Sequence, residues 1–458
     1  MKNIFKNPLL ILLTSCFFII FLGGCDSYLA PSNKVFIISI LSAIIFFIAL
    51  VRTDFALGIL IFSMLLSPEF KLGSIPGREI VLRFDDILLV SVFLGWLAKM
   101  AVNKEFSLMR STPLNKPIIA YIGVCIIATL LAAMQGLVKI KVSAFYLLKY
   151  FEYFLLFFMV SNNLRGIEQA KRFVRLMFIV AAIVSVYAIT QIGTGARVTA
   201  PFEGGAGGEA NTLGGYLTLL MSLALGLLLC SRTFNKKLLF TGLLVLMGIP
   251  FLYTLSRGAW LAFIAMFIIF IVLDVKARPF LLGVLVIFVI FSSVIFPKRV
   301  QERVKETFTP YRTYTSFGKT YSLDESTSIR IESWKEAFKE FQKRPIFGRG
   351  VPAAQVIDNQ YARIIRETGL IGIASFIWLL IMILRVSWRA YKKCKEDWFT
   401  TGLSLGYLCG FIGLLVHSLS AETFILIRIM EPFWFLTAII VMLPNLRNVS
   451  IQLCDSKK

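Results

Sequence analysis

Long apolar runs recur along almost the whole chain, and a sequence built this way cannot fold as an ordinary water-soluble globule. Runs near 8–23, 34–51, 55–67, 86–101, 117–135, 143–161, 173–193, 212–230, 238–253, 258–274, 280–296, 368–386, 399–418 and 431–444 mostly approach the length that crosses a bilayer, roughly 20 apolar residues. The 55–67 run is short enough to be re-entrant or tilted. The runs are continuous in leucine and phenylalanine rather than alternating, which favours helices over a barrel. With 57% hydrophobic residues, the chain is expected to be an all-α, polytopic membrane helix bundle with about 12–14 transmembrane helices.

The pattern breaks once. Residues 297–367 are polar and charged, from PKRVQERVKE through IRIESWKEAFKEFQKRPIFGRG to DNQYARIIRET. The chain therefore divides into 1–296 (eleven membrane helices with short loops), 297–367 (one large, partly helical loop) and 368–458 (the last membrane helices and a tail). Lys and Arg settle the expected orientation. Of 48 in all, 24 fall in the set of alternate loops that includes both termini; 9 fall on the other side once the large loop and Lys149 are set aside. That bias puts both termini in the cytoplasm and the large loop outside, the fourteen basic residues of the loop notwithstanding, because long loops translocate largely regardless of charge. The net charge of +22 is thus a property of topology and implies no nucleic acid. The seven cysteines show no paired spacing, so neither a disulfide framework nor a metal site is expected. Leu22-Gly23-Gly24-Cys25 fits the end of a first membrane helix and also looks like a lipoprotein cleavage box, which would leave Cys25 outside.

Candidate chemistry lies on the outer side. Arg257 in TLSRGAWLA sits at the hydrocarbon border, where an arginine needs a partner or an anionic ligand. Arg197 opens the glycine-rich loop RVTAPFEGGAGGEANTLGGYL. A guanidinium fork suits phosphate oxygens; the plain alternative is pairing with lipid phosphate or with Glu203 or Glu209. In the large loop, residues 328–343 read as an amphipathic helix capped by Ser328, with Ile331, Trp334, Phe338 and Phe341 on one face, and Arg330 placed to point into a site. Phe308, Tyr311, Tyr314, Phe317 and Tyr321 suit either sugar stacking or interfacial anchoring. Asp358 suits either a general base for an acceptor hydroxyl or a helix cap, with Asn359 and Tyr361 beside it. His417, near the outer end of an apolar run, reads as a packing residue. There is no DxD, which disfavours a metal-dependent nucleotide-sugar transferase, and no phosphate-binding GxxxxGK[ST] loop, which argues against ATP. Intramembrane carboxylates are nearly lacking on this reading, Glu152 being the main exception.

Four stretches, beginning at Arg197, Thr254, Ile329 and Asp358, occur in an order similar to that of the bacterial O-antigen ligase and polymerase superfamily, which also shares the large outer loop before the last helices. The resemblance implies an inner-membrane glycosyltransferase, without cofactor or metal, that polymerises or ligates O-antigen or exopolysaccharide units on the periplasmic face. It implies an undecaprenyl-diphosphate-linked donor, a glycan, lipid or protein acceptor, and room for a chain-length regulator as partner. Arg197 and Arg257 would hold the diphosphate, and Arg330, Asn359 and Tyr361 would bind substrate. Asp358 stands where family ligases carry histidine, which leans the reading towards a polymerase or exopolysaccharide transferase with Asp358 as base. The alternative is a lipid-linked glycan flippase or other transporter, which predicts a charged central cavity.

Overall fold

The computed structural model describes residues 31–75, 78–104, 110–202, 209–291, 296–309, 312–316, 319–352, 357–395 and 397–455. The expected 8–23 helix, Cys25, the glycine-rich 203–208 segment, Tyr311 and Phe317 lie outside them.

In chain order the helices are α1 (Pro31–Leu66), α2 (Phe84–Val102), α3 (Asn115–Met134), α4 (Ile140–Asn163), α5 (Ile167–Thr190), α6 (Ala210–Cys230), α7 (Phe234–Tyr253), α8 (Arg257–Leu273), α9 (Arg278–Ile290), α10 (Lys298–Glu306), α11 (Glu325–Lys343), α12 (Gln360–Lys393), α13 (Trp398–His417) and α14 (Ile427–Asp455). Two antiparallel hairpins complete the described elements, β1 (Glu69–Ile75) with β2 (Arg78–Arg83) and β3 (Arg312–Ser316) with β4 (Lys319–Leu323). Nine described helices are long and apolar enough to cross a membrane, and α8 and α9 are shorter apolar helices. This is an all-α, multi-pass membrane protein.

The sequence reads 34–51 and 55–67 as separate runs, and α1 breaks between them at Arg52 (φ −139°, ψ 73°). The arms fold back on each other. Lys99 of α2 reaches Thr53 at 3.3 Å. Gly95, one turn back along α2, lies against Phe46, Ala49 and Leu50. A straight continuation of α1 would carry those residues away from Gly95, so the break works as a helical hairpin.

At the centre, α6 lies against α13. A Cβ on Gly226 would come within 2.3 Å of the Gly402 carbonyl, and one on Gly406 within 2.7 Å of the Ser222 carbonyl. Ser222 Oγ donates to the Gly406 carbonyl at 2.6 Å. In lipid, where helix association has little hydrophobic driving force, such small-residue contacts let backbones approach and gain dispersion energy.

The large loop is built from α10, the β3–β4 hairpin and α11. The α11 helix begins one turn earlier than the expected 328, because Asp324 rather than Ser328 is its cap, accepting from the Thr327 amide. In the hairpin, Tyr314 and Tyr321 are register partners. The loop locks onto α12 through a break in that helix. Gly369 has φ +66° and ψ −157°, a region essentially restricted to glycine. The backbone groups around the break pair with the loop: Arg349 N to Arg366 O at 2.9 Å, Gly350 N to Glu367 O at 2.8 Å, and Leu370 N to Pro345 O at 2.8 Å. The RPIFGRG and RETGLIG stretches thus satisfy each other, which is how irregular backbone is tolerated near a membrane.

The expectation of few intramembrane carboxylates does not hold. Asp85, Asp86, Glu367, Glu422 and Glu431 are all buried, as is Glu152. Each belongs to an ionic set: Arg83 with Asp85 and Glu431, Lys149 with Asp86 and Glu152, Arg363 with Glu367 and Glu422. Apart from Glu152, these acids stand at or just beyond the ends of apolar runs; only the packing of the helices brings them opposite bases.

Candidate active site

Four helices begin at one face of the bundle, and their first turns converge. Ser256 caps α8, accepting from the Ala259 amide at 3.3 Å, and donates to Asn211 of α6 at 2.8 Å. Asp324 caps α11, and Asn359 caps α12 by accepting from the Ala362 amide at 2.9 Å. Glycines bring the helices together: a Cβ on Gly214 would meet Ala259 at 2.7 Å, and one on Gly258 would overlap Ser420 at the end of α13. The glycines of NTLGG and SRGA therefore serve close packing, and each helix start presents the positive end of its dipole.

An arginine cluster occupies this junction. Arg257 pairs with Asp324 at 2.6 Å and donates to Thr307 at 3.0 Å. Arg330 lies 3.8 Å from Asp358. Arg197 donates to the Thr254 carbonyl at 2.8 Å and to Asn211 at 3.4 Å. Arg303 of α10 donates to the Leu255 carbonyl at 3.4 Å and pairs with Glu306. Arg299 places its guanidinium against Gly195.

Electrostatics confirm that these groups sense one another. The Arg197 side chain reaches solvent, yet partial burial followed by repulsion from Arg303, Arg330 and Arg257 holds its guanidinium below the usual range. Burial lowers Arg330 as well, with Asp358 opposing and Arg257 reinforcing the shift. Burial pushes the Asp324 carboxyl up, but Arg257 and Thr327 outweigh it and hold the group below the ordinary carboxylate range. Arg197, Arg257, Arg303 and Arg330, which repel one another, are thus drawn together with Asp324, Asp358 and Glu306.

Arg197, Arg257, Arg330 and Asp358 therefore share one face and one junction. Arg257 is paired with Asp324 of the large loop; Glu203 lies outside the described residues. Asn359 rather than Asp358 caps α12, so the cap alternative for Asp358 falls away. Asn359 and Tyr361 are engaged by the framework: Asn359 Nδ2 donates to the Leu419 carbonyl at 3.0 Å, and Tyr361 OH to the Leu415 carbonyl at 3.0 Å. His417 is fully buried, with Nδ1 2.8 Å from Thr423 Oγ1. Phe308 is 82% exposed on the loop surface.

Sequence reading missed Asp324, Arg303 and Arg299. The spacing of Asp324 and Thr327 carries a capping signal, but nothing local says that the cap also pairs with Arg257. Arg299 and Arg303 share a charged ten-residue stretch with two other basic residues, and only the docking of α10 singles them out.

A comparison with curated proteins gives no match. Residues 242–377, which contribute Arg257, Asp324, Arg330 and Asp358, match the family model described as O-antigen ligase (Wzy_C).

Proposed function

We propose that the chain transfers glycan units from a lipid diphosphate donor, of the undecaprenyl type, to an acceptor hydroxyl on the periplasmic face, extending or ligating O-antigen or exopolysaccharide. The observation that carries this reading is the convergence of Arg197, Arg257, Arg303 and Arg330 at four helix starts, opposite Asp358. A diphosphate diester carries two negative charges, which suits a group of guanidiniums that repel one another. Guanidinium forks and helix dipoles aimed at a departing diphosphate stabilise the charge that develops as the bond breaks.

In the proposed step the acceptor oxygen attacks the anomeric carbon from the side opposite the diphosphate. The new carbon–oxygen bond forms as the bond to the diphosphate breaks; the bonding pair leaves with the diphosphate, and the acceptor proton passes to Asp358. The configuration at carbon inverts. Without a DxD motif in the chain, the arginines do the work that a divalent cation performs in nucleotide-sugar transferases. Family resemblance supports a polymerase or exopolysaccharide transferase, with cytoplasmic termini, an inner-membrane location and a chain-length regulator as partner.

The transporter alternative predicts charges lining a central passage. The buried charges seen here instead engage one another in packed pairs between helices. The deciding experiment is Arg257→Ala in cells that depend on this chain for surface glycan. Lipid-linked units should accumulate on the outer face with no chain extension, while the protein inserts normally. Normal glycan in that strain would rule out the role given to Arg257, and units trapped inside would favour a flippase.

A further inference from the structure

On the face opposite the arginine cluster, three inter-helix turns each deliver one cation to a single recess. Arg232 comes from the α6–α7 turn, Lys276 from the α8–α9 turn and Lys395 from the α12–α13 turn. The recess encloses about 560 Å³ and is also lined by Tyr391, Trp398 and Asp274. Asp274 spends one carboxylate oxygen on its own turn, accepting from the Lys276 and Ala277 amides at 3.2 and 3.1 Å. Three cations against one turn-bound carboxylate leave a positive site among the described lining residues. Just outside, Lys236 stacks over Trp398 at 4.1 Å, adding a fourth cation at the rim.

The walls beside the recess are greasy and open. Val272 of α8, Val275 of the turn and Phe280 of α9 are 56%, 65% and 61% exposed. These helices are also short: 17 residues for α8 and 13 for α9, or about 26 and 20 Å at 1.5 Å per residue, against a hydrocarbon core of roughly 30 Å. A basic, aromatic-rimmed recess at the ends of apolar helices, with exposed apolar side chains beside it, matches both halves of one molecule.

We infer that this recess binds an anionic phospholipid, its phosphodiester held by Arg232, Lys276 and Lys395 and its acyl chains lying along α8 and α9. The shared chemistry is a phosphate anion; the exposed apolar helices favour lipid over free phosphate as its source. Basic pockets between transmembrane helices are known to take lipid headgroups in this way, each basic residue near the surface contributing a similar small increment.

The test uses the full chain, purified in detergent and titrated by native mass spectrometry with phosphatidylglycerol or phosphatidylethanolamine. The expected result is a retained phosphatidylglycerol adduct, held at least about tenfold more tightly than phosphatidylethanolamine. In the variant R232Q/K276Q/K395Q, phosphatidylglycerol affinity should fall on the order of 100-fold with the melting temperature unchanged. Should that variant fail to fold, K276Q alone, at an exposed turn position, should weaken binding about fivefold. Equal retention of the two lipids by the unaltered protein would overturn the inference, as would a folded variant that keeps full phosphatidylglycerol affinity. Displacement of the lipid by millimolar inorganic phosphate would overturn the lipid assignment in favour of a soluble phosphate. Glycan transfer need not change in any arm, so the outcome is independent of the role proposed for Arg257.

Discussion

Two groups of arginines lie near the same face of this bundle, and they are built for different tasks. Arg83, Arg363 and Arg428 are each no more than 5% exposed and are matched by acids: Asp85 and Glu431, Glu367 of the same helix and Glu422, and Glu69. Arg428 also donates to the Leu65 and Pro201 carbonyls, at 2.9 and 2.8 Å, tying α1 and the Arg197 loop to α14. Arg197, Arg257, Arg303 and Arg330 stand partly open and outnumber their acids, so they repel one another. Arginine in a membrane protein is therefore no mark of a ligand site by itself. The mark is a surplus of arginine that the protein leaves accessible and does not neutralise.

That distinction separates two kinds of loss. The largest effect is expected at Arg363. Removing one partner of a buried ionic set strands the others, typically at about 3–5 kcal/mol, so Arg363→Ala should strip most of the folded population from a detergent-solubilised sample, read by melting and size exclusion. Arg257→Ala should do the reverse: a transfer rate lower by about 10²–10³-fold, the usual effect of losing one charge-stabilising donor, with a melting temperature close to that of the unaltered protein. If Arg257→Ala unfolds the protein, or Arg363→Ala spares it, the division between framework and ligand arginines is wrong.

A third, smaller effect concerns the joint between the loop and the membrane body. A Cβ on Gly369 would lie 2.4 Å from the Ile346 carbonyl, at a backbone geometry that other residues rarely adopt. Gly369→Ala should cost on the order of 1–3 kcal/mol and raise protease cleavage between residues 344 and 352, as the Arg349 and Gly350 amides lose their partners on α12. Unchanged cleavage would mean that the loop is held elsewhere.

How much of this was legible beforehand follows the range of the interactions. Each described helix outside the large loop answers to an apolar run, because burial in lipid depends on local composition, and even the break at Arg52 is visible as a charged interruption between 51 and 55. The site arginines and Asp358 stood out because charge at a membrane border demands a reason. What sequence could not supply was pairing. Asp324 meets Arg257 across 67 positions, Glu422 meets Arg363 across 59 and Lys149 meets Asp86 across 63. Nothing in the neighbourhood of either member announces the other. The same holds for Asn359, whose type and place suited a ligand contact, and which the fold uses as a cap because the turn after α13 lies beside it.

The gentlest test asks whether Asp324 is framework or gate. If it belongs with the accessible set, its carboxylate competes with the donor diphosphate for Arg257, and Asp324→Asn should bind a lipid diphosphate several-fold more tightly while Thr327 keeps a weaker cap. If it belongs with the framework, the same change should only loosen the start of α11. Acid provides the complementary check. The Asp324 carboxyl is held below the ordinary range in the folded protein, so its ion pair contributes fully above the unfolded pKa of about 3.9 and is lost only as pH falls through the lower folded value. Between pH 5 and 8 the anchoring of the loop should therefore be flat, and below about pH 4 the start of α11 should exchange amide hydrogens faster in the unaltered protein but not in Asp324→Asn. A loop that loosens already near pH 6 would place its control in some other titrating group and remove Asp324 from the argument.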